Sequence, residues 1–268
     1  MLIFILKIFL SVIDSDECVK LPNACVTDLL QENIEQFGGD PGSVTLLGGG
    51  TGAALGGLLL LSPVSQRRGR TRLFQRAVLS SGSSLARQAL VRDPLLLTRQ
   101  VAAHTACPLS PALPDCLRLK DVHSLLEVAV EAPEYSSPVG PFVDGTIIPE
   151  SPDLLMERYR ADYDLMFGLT QQEAFHLFPA FTVSQGLSDT EQQEVLRLLL
   201  RAEFGVEGGQ REQLLATVYN EYRDLHQTRE DKLTNLRTML DIFSDCRVAA
   251  PLIQAANLHS NNHKEMIH

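Results

Sequence analysis

The sequence contains no tryptophan, and aromatic residues of all kinds make up only 6% of its 268 residues. Proteins that bind sugars or single-stranded nucleic acids stack their ligands on aromatic rings, so this scarcity argues against both classes. Basic residues are few as well, because 23 Lys and Arg stand against 33 Asp and Glu and give a formal net charge of −10. Nucleic-acid surfaces need clustered positive charge, and we therefore predict no nucleic-acid partner.

Metal-binding patterns are also missing. The chain has five cysteines, none of them in a Cys-x-x-Cys pair, and no cysteine–histidine group has the spacing of a zinc site. We expect no metal and no cofactor. The odd number leaves one cysteine without a partner inside the chain, and it does not fix the pairing of Cys18, Cys25 and Cys246.

No run of apolar residues is long enough to span a bilayer. The most apolar stretch, residues 1–13, has the length of the apolar core of a signal peptide, although Lys7 lies inside it. An apolar strand is the other interpretation of this stretch. We therefore divide the chain into an N-terminal apolar segment, residues 1–27, and one globular domain, residues 28–268.

The most informative feature that is present is a run of glycines at residues 48–52. It follows an apolar run and precedes a stretch of small residues and leucines, which is the strand–turn–helix setting of the G-x-S-x-G nucleophile elbow. Gly48 and Gly52 occupy the two outer positions, but the serine position holds Gly50. The rival interpretation is a dinucleotide-binding turn, which requires an acidic residue at the end of the next strand to hold the ribose. That strand ends in Ser80 and Ser81, so the required acidic residue is missing.

The remaining patterns indicate an α/β fold with a parallel sheet and a helical second half. Residues 43–47, 77–80 and 164–167 are candidate strands, and two strands joined through a helix favour parallel pairing. Ser188 and Glu191 form a capping box before a helix whose apolar face we place at Val195, Leu198 and Leu199. Because parallel strands are covered on both faces, we expect six strand residues to be inaccessible: Val44, Leu46, Val78, Leu79, Leu165 and Phe167.

Four segments around and beyond the glycine run resemble the type-B carboxylesterase and cholinesterase family: residues 31–41, 73–83, 140–149 and 163–168. Residues 168–174 and 220–224 are most similar to the neuroligins and related cholinesterase-like adhesion molecules, and so are the short segments 243–245, 250–252 and 258–260. The resemblance runs from about residue 28 to about residue 260 and implies a partial α/β-hydrolase fold. By this resemblance, the family's early strands, the loop that supplies half of its oxyanion hole and the segment with its catalytic histidine have no counterpart in the sequence.

The resemblance assigns roles to several residues. Glu173 occupies the position of the triad acid, and Cys107 and Cys116 match a disulfide of the family. None of the seven histidines falls in the family's histidine motif: His104, His123, His176, His226, His259, His263 and His268. Thr51 and Ser83 are the remaining hydroxyl groups near the turn, and we expect neither to act as a nucleophile. A hydrolase of this type needs a nucleophile, a base and an acid together, so these residues predict a pseudoenzyme.

The resemblance therefore implies a non-catalytic extracellular domain that mediates cell adhesion or receptor binding. Its expected partners are an extracellular protein, similar to the neurexin receptors of neuroligins, and a second copy in a homodimer. The membrane anchor of such proteins is not in this sequence, and the expected location is the cell surface. The alternative is a carboxylic ester hydrolase of the same family.

Overall fold

The computed structural model describes residues 29–65, 72–132, 134–136, 139–158, 163–222 and 231–265. The predicted N-terminal segment, residues 1–27, lies outside these ranges, and Cys18 and Cys25 lie outside them with it.

A parallel sheet of three strands lies at the centre of the N-terminal half. Its strands are β1 (Thr45–Gly49), β2 (Arg76–Ser80) and β3 (Asp164–Gly168), in the order β1-β2-β3. The register pairs Thr45 with Arg76 and Arg76 with Asp164 at the start of the strands. The parallel sheet predicted from the sequence is therefore confirmed.

Helix α1 (Thr51–Leu61) follows β1 directly and packs against one face of the sheet. Most of its residues are small or leucine, and Leu58, Leu59 and Leu60 are almost completely buried. Leu59 and Leu60 join strand residues such as Ala77 and Leu79 in the first of two large hydrophobic clusters. Burying a leucine side chain contributes about 1.5–3 kcal/mol, so this contact fixes the helix, and with it the turn between β1 and α1, on the sheet.

The rest of the described chain is mostly helical. The further helices are α2 (Pro94–His104), α3 (Leu113–Arg118), α4 (Val122–Leu126), α5 (Pro152–Arg158), α6 (Ala180–Gln185), α7 (Asp189–Phe204), α8 (Gly208–Tyr222), α9 (Lys232–Ser244) and α10 (Ala250–Glu265). A single π-helical turn, Asp245–Ala249, joins α9 to α10. Within the described ranges, every helix is too short or too polar to cross a membrane.

The second hydrophobic cluster lies between α7 and α9. The predicted capping box at the start of α7 is present, because Ser188 and Glu191 each bond to the other's backbone amide. The buried face of α7 differs from the prediction: Leu199 is buried as expected, but Leu196 and Leu200 are its buried companions. Val195 and Leu198 lie at the margin of the packed face, because each is next in sequence to a buried leucine and successive helix residues are about 100° apart around the axis.

The prediction that the sheet is covered on both faces is wrong. Leu79 is 3% exposed, but the other five residues of that prediction are only half-buried. Met166 of β3 is 66% exposed, although it lies in the middle of a strand. The prediction assumed the helix layers of a complete doubly covered sheet, and the described residues supply a helix layer on one face.

Candidate functional site: the turn at Gly50

The turn at Gly50 has the backbone geometry of a sharp strand-to-helix elbow. Gly50 lies between β1 and α1 with φ 58° and ψ −120°, a conformation that side chains with a Cβ rarely adopt. Its amide donates a hydrogen bond to the carbonyl of Ser80 (2.8 Å), and its carbonyl accepts from Ala53 (3.1 Å) and Ala54 (3.2 Å). The turn is thus bonded both to β2 and to the first turn of α1.

Two glycines around Gly50 are needed because other backbone atoms lie against them. A Cβ on Gly48 would lie 2.5 Å from the carbonyl oxygen of Gly52, and a Cβ on Gly82 would overlap the carbonyl oxygen of Gly50. A Cβ on Gly50 or on Gly52, in contrast, would have no heavy atom within 4 Å. Residue 50 therefore retains open space for a side chain, and glycine leaves that space without a reactive group.

Glu173 lies in the segment after β3 and is held by hydrogen bonds. Its Oε1 accepts from the Ser81 hydroxyl (2.9 Å) and from the Thr170 amide, while its own amide donates to Ser244 Oγ (3.0 Å). Among the described residues, the donors to the Glu173 carboxylate are the Ser81 hydroxyl and the Thr170 amide. The structure thus joins Glu173 to the end of β2, next to the turn at Gly50.

Ser81 is a member of this site that the sequence did not reveal. It lies at the end of β2 with φ 58°, its amide donates to the carbonyl of Gly168 (2.8 Å), and its hydroxyl reaches Glu173 92 positions later in the chain. A serine that adopts positive φ is uncommon, and such strain persists only where surrounding contacts hold it. The only local signal for it is the Ser80-Ser81-Gly82 turn directly after a strand.

The other candidate catalytic groups do not gather at the turn. Ser83 is 1% exposed, and its hydroxyl donates to the carbonyl of Pro251 (2.9 Å), so it serves as a buried packing contact. Thr51 is exposed at the start of α1. His176 is exposed three residues after Glu173, and His259 is buried on α10. His226 and His268 lie outside the described residues.

The cysteine pair that the resemblance implies is bonded in the structure. Cys107 and Cys116 form a disulfide with a Cα–Cα distance of 5.9 Å, and Cys107 is buried between α2 and α3.

Cys246 is free and half-buried. Burial, with a smaller contribution from the nearby Glu203 carboxylate, raises the pKa of the Cys246 thiol to about 11. Cys246 therefore stays protonated near neutral pH and is a poor nucleophile.

The described residues include no group of three His, Cys, Asp or Glu side chains that could hold a metal ion.

Comparisons with known proteins give one consistent result. The profile of the carboxylesterase family matches residues 27–267. Neuroligin-1 of Caenorhabditis elegans is 31% identical over 94% of this chain, and human neuroligin-3 is 32% identical over 86% of it. Human neuroligin-2 is 31% identical over 87% of the chain. These alignments cover 34%, 27% and 27% of the relatives, so the chain spans about a third of their length or less.

The matched region contains the parallel sheet, the turn at Gly50 and the helical second half. These elements are part of the α/β-hydrolase fold, in which a sharp turn joins a parallel strand to the following helix. The chain therefore belongs to the carboxylesterase family.

Proposed function

We propose that this chain is a non-catalytic, cholinesterase-like domain that acts through protein–protein contacts at the cell surface. The observation that carries the first part of the proposal is the turn at Gly50, where the elbow backbone is present and the space for a side chain holds no hydroxyl. A family member that retains the framework of the site without its nucleophile can use the domain as a binding scaffold.

The surroundings of Gly50 support the absence of catalysis. Nucleophilic acyl transfer requires a hydroxyl or thiol with an adjacent base, and the carboxylate at the end of β2, Glu173, already accepts hydrogen bonds from Ser81 and Thr170. The family position for the acid is thus occupied by a carboxylate that links the ends of β2 and β3. We assign Glu173 and Ser81 a structural role.

The similarity to neuroligins supports the second part of the proposal. By that resemblance, the partner is an extracellular protein of the neurexin type, and the domain is located at the cell surface. The Cys107–Cys116 disulfide agrees with an oxidising compartment, because cytosolic proteins seldom keep such bonds. A homodimer is the second assembly that the resemblance suggests.

The adhesion proposal can be tested with the full 268-residue chain displayed on non-adherent cells through a fused membrane anchor. These cells are mixed with cells that display a neurexin ectodomain, and a neuroligin ectodomain serves as the positive control. We expect mixed aggregates above the level given by empty cells. If the neuroligin control aggregates and this chain does not, the proposed class of partner is wrong.

The ester hydrolase alternative rests on the same turn, because its backbone is preserved. It predicts that the purified chain hydrolyses a p-nitrophenyl ester above the background rate. Our proposal predicts no such activity, so this assay separates the two functions independently of any adhesion partner.

A further inference from the structure

Three arginine side chains, Arg87, Arg92 and Arg247, lie around the C-terminal end of α7. Arg247 is buried, and its Nη1 lies 3.6 Å from Glu203 Oε1. An Nη nitrogen of Arg87 lies 3.8 Å from the position that a Cβ would take on Gly205, the C-cap residue of α7. Burial raises the pKa of Glu203, and the charges of Arg247 and Arg92 lower it, so Arg92 also acts on this place. We call these three side chains the arginine cluster.

Hydrogen bonds from the segment after β2 hold this segment against the π-helical turn. In the short 3-10 turn Arg87–Ala89, the Gln88 side chain donates to the carbonyl of Arg247 (2.8 Å). That carbonyl is available because Pro251, four residues later, has no amide hydrogen to donate. The Ser83 hydroxyl donates to the carbonyl of Pro251 (2.9 Å). The position of the 3-10 turn beside α7 is therefore fixed by residues that the structure describes.

Arg87 has no partner in the part of the chain that the structure describes. Its side chain is half-buried, its Nε is completely buried, and no described residue forms a hydrogen bond or an ion pair with it. A guanidinium group has five N–H donors and stays charged at all ordinary pH values. Buried polar atoms nearly always have a partner, so the Nε of Arg87 indicates a bound water or ion.

The balance of charge favours an ion over a water molecule. Three guanidinium groups lie near one buried carboxylate, that of Glu203, which leaves two positive charges. The acids at the nearby surface do not offset this excess, because Glu207 pairs with Arg201 (3.4 Å) and Glu134 is exposed to solvent. The C-terminal end of α7 adds the equivalent of about half a negative charge, so the excess stays positive. Water would accept a hydrogen bond from Arg87 without balancing this charge.

We propose that the arginine cluster binds a tetrahedral oxyanion, a sulfate or phosphate group, and that Arg87 is its principal contact. The Nε and one Nη of a guanidinium group offer two parallel donors, which match two oxygens of such a group. A dianion also balances the two excess positive charges, which a single carboxylate would not do. The site uses no residue of the turn at Gly50, and it does not depend on the proposed adhesion role.

Nuclear magnetic resonance of the unmodified chain tests the proposal. In ¹⁵N-labelled protein, the Nε–Hε resonance of Arg87 is assigned by through-bond correlation to its own backbone. Sodium sulfate and sodium phosphate are added in separate titrations, with sodium chloride at equal ionic strength as the control. We expect sulfate and phosphate to shift this resonance to a saturating value in the millimolar range, and chloride to leave it in place. A resonance that chloride shifts equally, or that none of the anions shifts, would overturn the proposal.

A further titration distinguishes a free ion from a sulfate group on a larger molecule. Glucose 6-sulfate replaces inorganic sulfate, and glucose is its control. A shift by glucose 6-sulfate supports a site that is open to sulfated molecules, whereas a shift by the inorganic ions alone supports a site for the free ion. An equal shift by glucose would contradict the recognition of an oxyanion.

Thermal unfolding with matched variants locates the ion at Arg87. Sulfate stabilises most proteins because it is excluded from their surface, so the informative quantity is the difference between variants. Binding to the folded chain adds to this general effect. We expect sulfate to raise the Tm of Arg87→Gln by less than it raises that of the parent. Arg99→Gln, an exposed position on α2 with the same change in charge, should respond like the parent. Equal rises in all three proteins would contradict a site at Arg87, and the titration of the parent decides the case if Arg87→Gln does not fold.

Discussion

At the scale of single residues, the turn at Gly50 has the backbone of a nucleophile elbow and lacks the side chain that would react. The turn keeps the positive φ of a nucleophile elbow and the close contacts made by Gly48 and Gly82, while residue 50 has no side chain. The glycine spacing, together with the apolar run before it and the small residues and leucines after it, predicted this turn from the sequence. Ser81 could not be predicted in the same way, because its bond to Glu173 joins residues 92 positions apart.

Restoring the hydroxyl should not restore an esterase. Gly50→Ser fits the open space at residue 50, but the serine would lack a histidine base, and serine is a weak nucleophile at neutral pH. We expect no labelling by a fluorophosphonate probe and no ester turnover. The positive φ should also cost about 1–3 kcal/mol of unfolding free energy. Gly49→Ser is the control, since Gly49 has neither positive φ nor a nearby atom at its Cβ position, and urea unfolding should show a smaller loss. Labelling and turnover by Gly50→Ser alone would mean that the site contains a base.

Gly82→Ala should destabilise the chain although it adds only one methyl group. That methyl would overlap the carbonyl oxygen of Gly50, which already accepts two hydrogen bonds from α1. We expect a loss of about 1–3 kcal/mol, the usual cost of overpacking. Gly52→Ala is the opposite case, because its Cβ position is open and alanine favours a helix over glycine by about 1 kcal/mol. Urea unfolding that ranks the two variants in the reverse order would refute the close contact.

At the scale of elements, local patterns predicted the parallel sheet and two of the helices. The three strands, α1 and the capping box of α7 follow from short sequence signals. The buried face of α7 was displaced by one residue, because Leu196 and Leu198 are equally apolar and only the packing against α9 distinguishes them. The exposure of Met166 was missed for a similar reason: whether a strand residue is covered depends on neighbours outside the strand.

The disulfide between Cys107 and Cys116 should contribute measurably to stability. It closes a loop of about ten residues, for which the chain-entropy estimate is about 2–3 kcal/mol. The double variant Cys107→Ser, Cys116→Ser should lose this amount in urea unfolding. Replacing the free Cys246 by serine serves as the comparison for a single thiol. Non-reducing peptide mapping that finds both cysteines as free thiols in secreted protein would contradict the bond and weaken the extracellular assignment.

At the scale of the whole molecule, a buried ion pair joins two elements of the helical half, and a hydrogen bond from the same arginine reaches the segment before β3. A side-chain oxygen of Glu203 on α7 and a guanidinium nitrogen of Arg247 in the π-helical turn lie 3.6 Å apart, and both residues are buried. Arg247 also donates to the carbonyl of Tyr135 (2.8 Å). Burial raises the pKa of Glu203 above its ordinary value of 4.5, and the positive charge of Arg247 only partly offsets this.

The raised pKa of Glu203 predicts the sign of a pH effect. The folded chain binds this proton more tightly than the unfolded chain, so the contribution is complete below about pH 4.5 and is lost as pH rises through the folded pKa. Glu203→Gln does not titrate, and the unfolding free energy of the parent minus that of the variant should fall between pH 4.5 and pH 7.5. Urea unfolding across this range measures the difference. A difference that rises with pH would mean that Arg247 stabilises the carboxylate by more than burial costs.

The whole domain is a carboxylesterase-family framework that has glycine in place of a nucleophile at its elbow. The most direct measurement is p-nitrophenyl ester hydrolysis by the purified parent chain, with and without prior treatment with a fluorophosphonate. We predict a rate equal to the background in both samples and no probe attached to the protein. Hydrolysis above background that the fluorophosphonate abolishes, with the probe found on a residue of this chain, would contradict the claim.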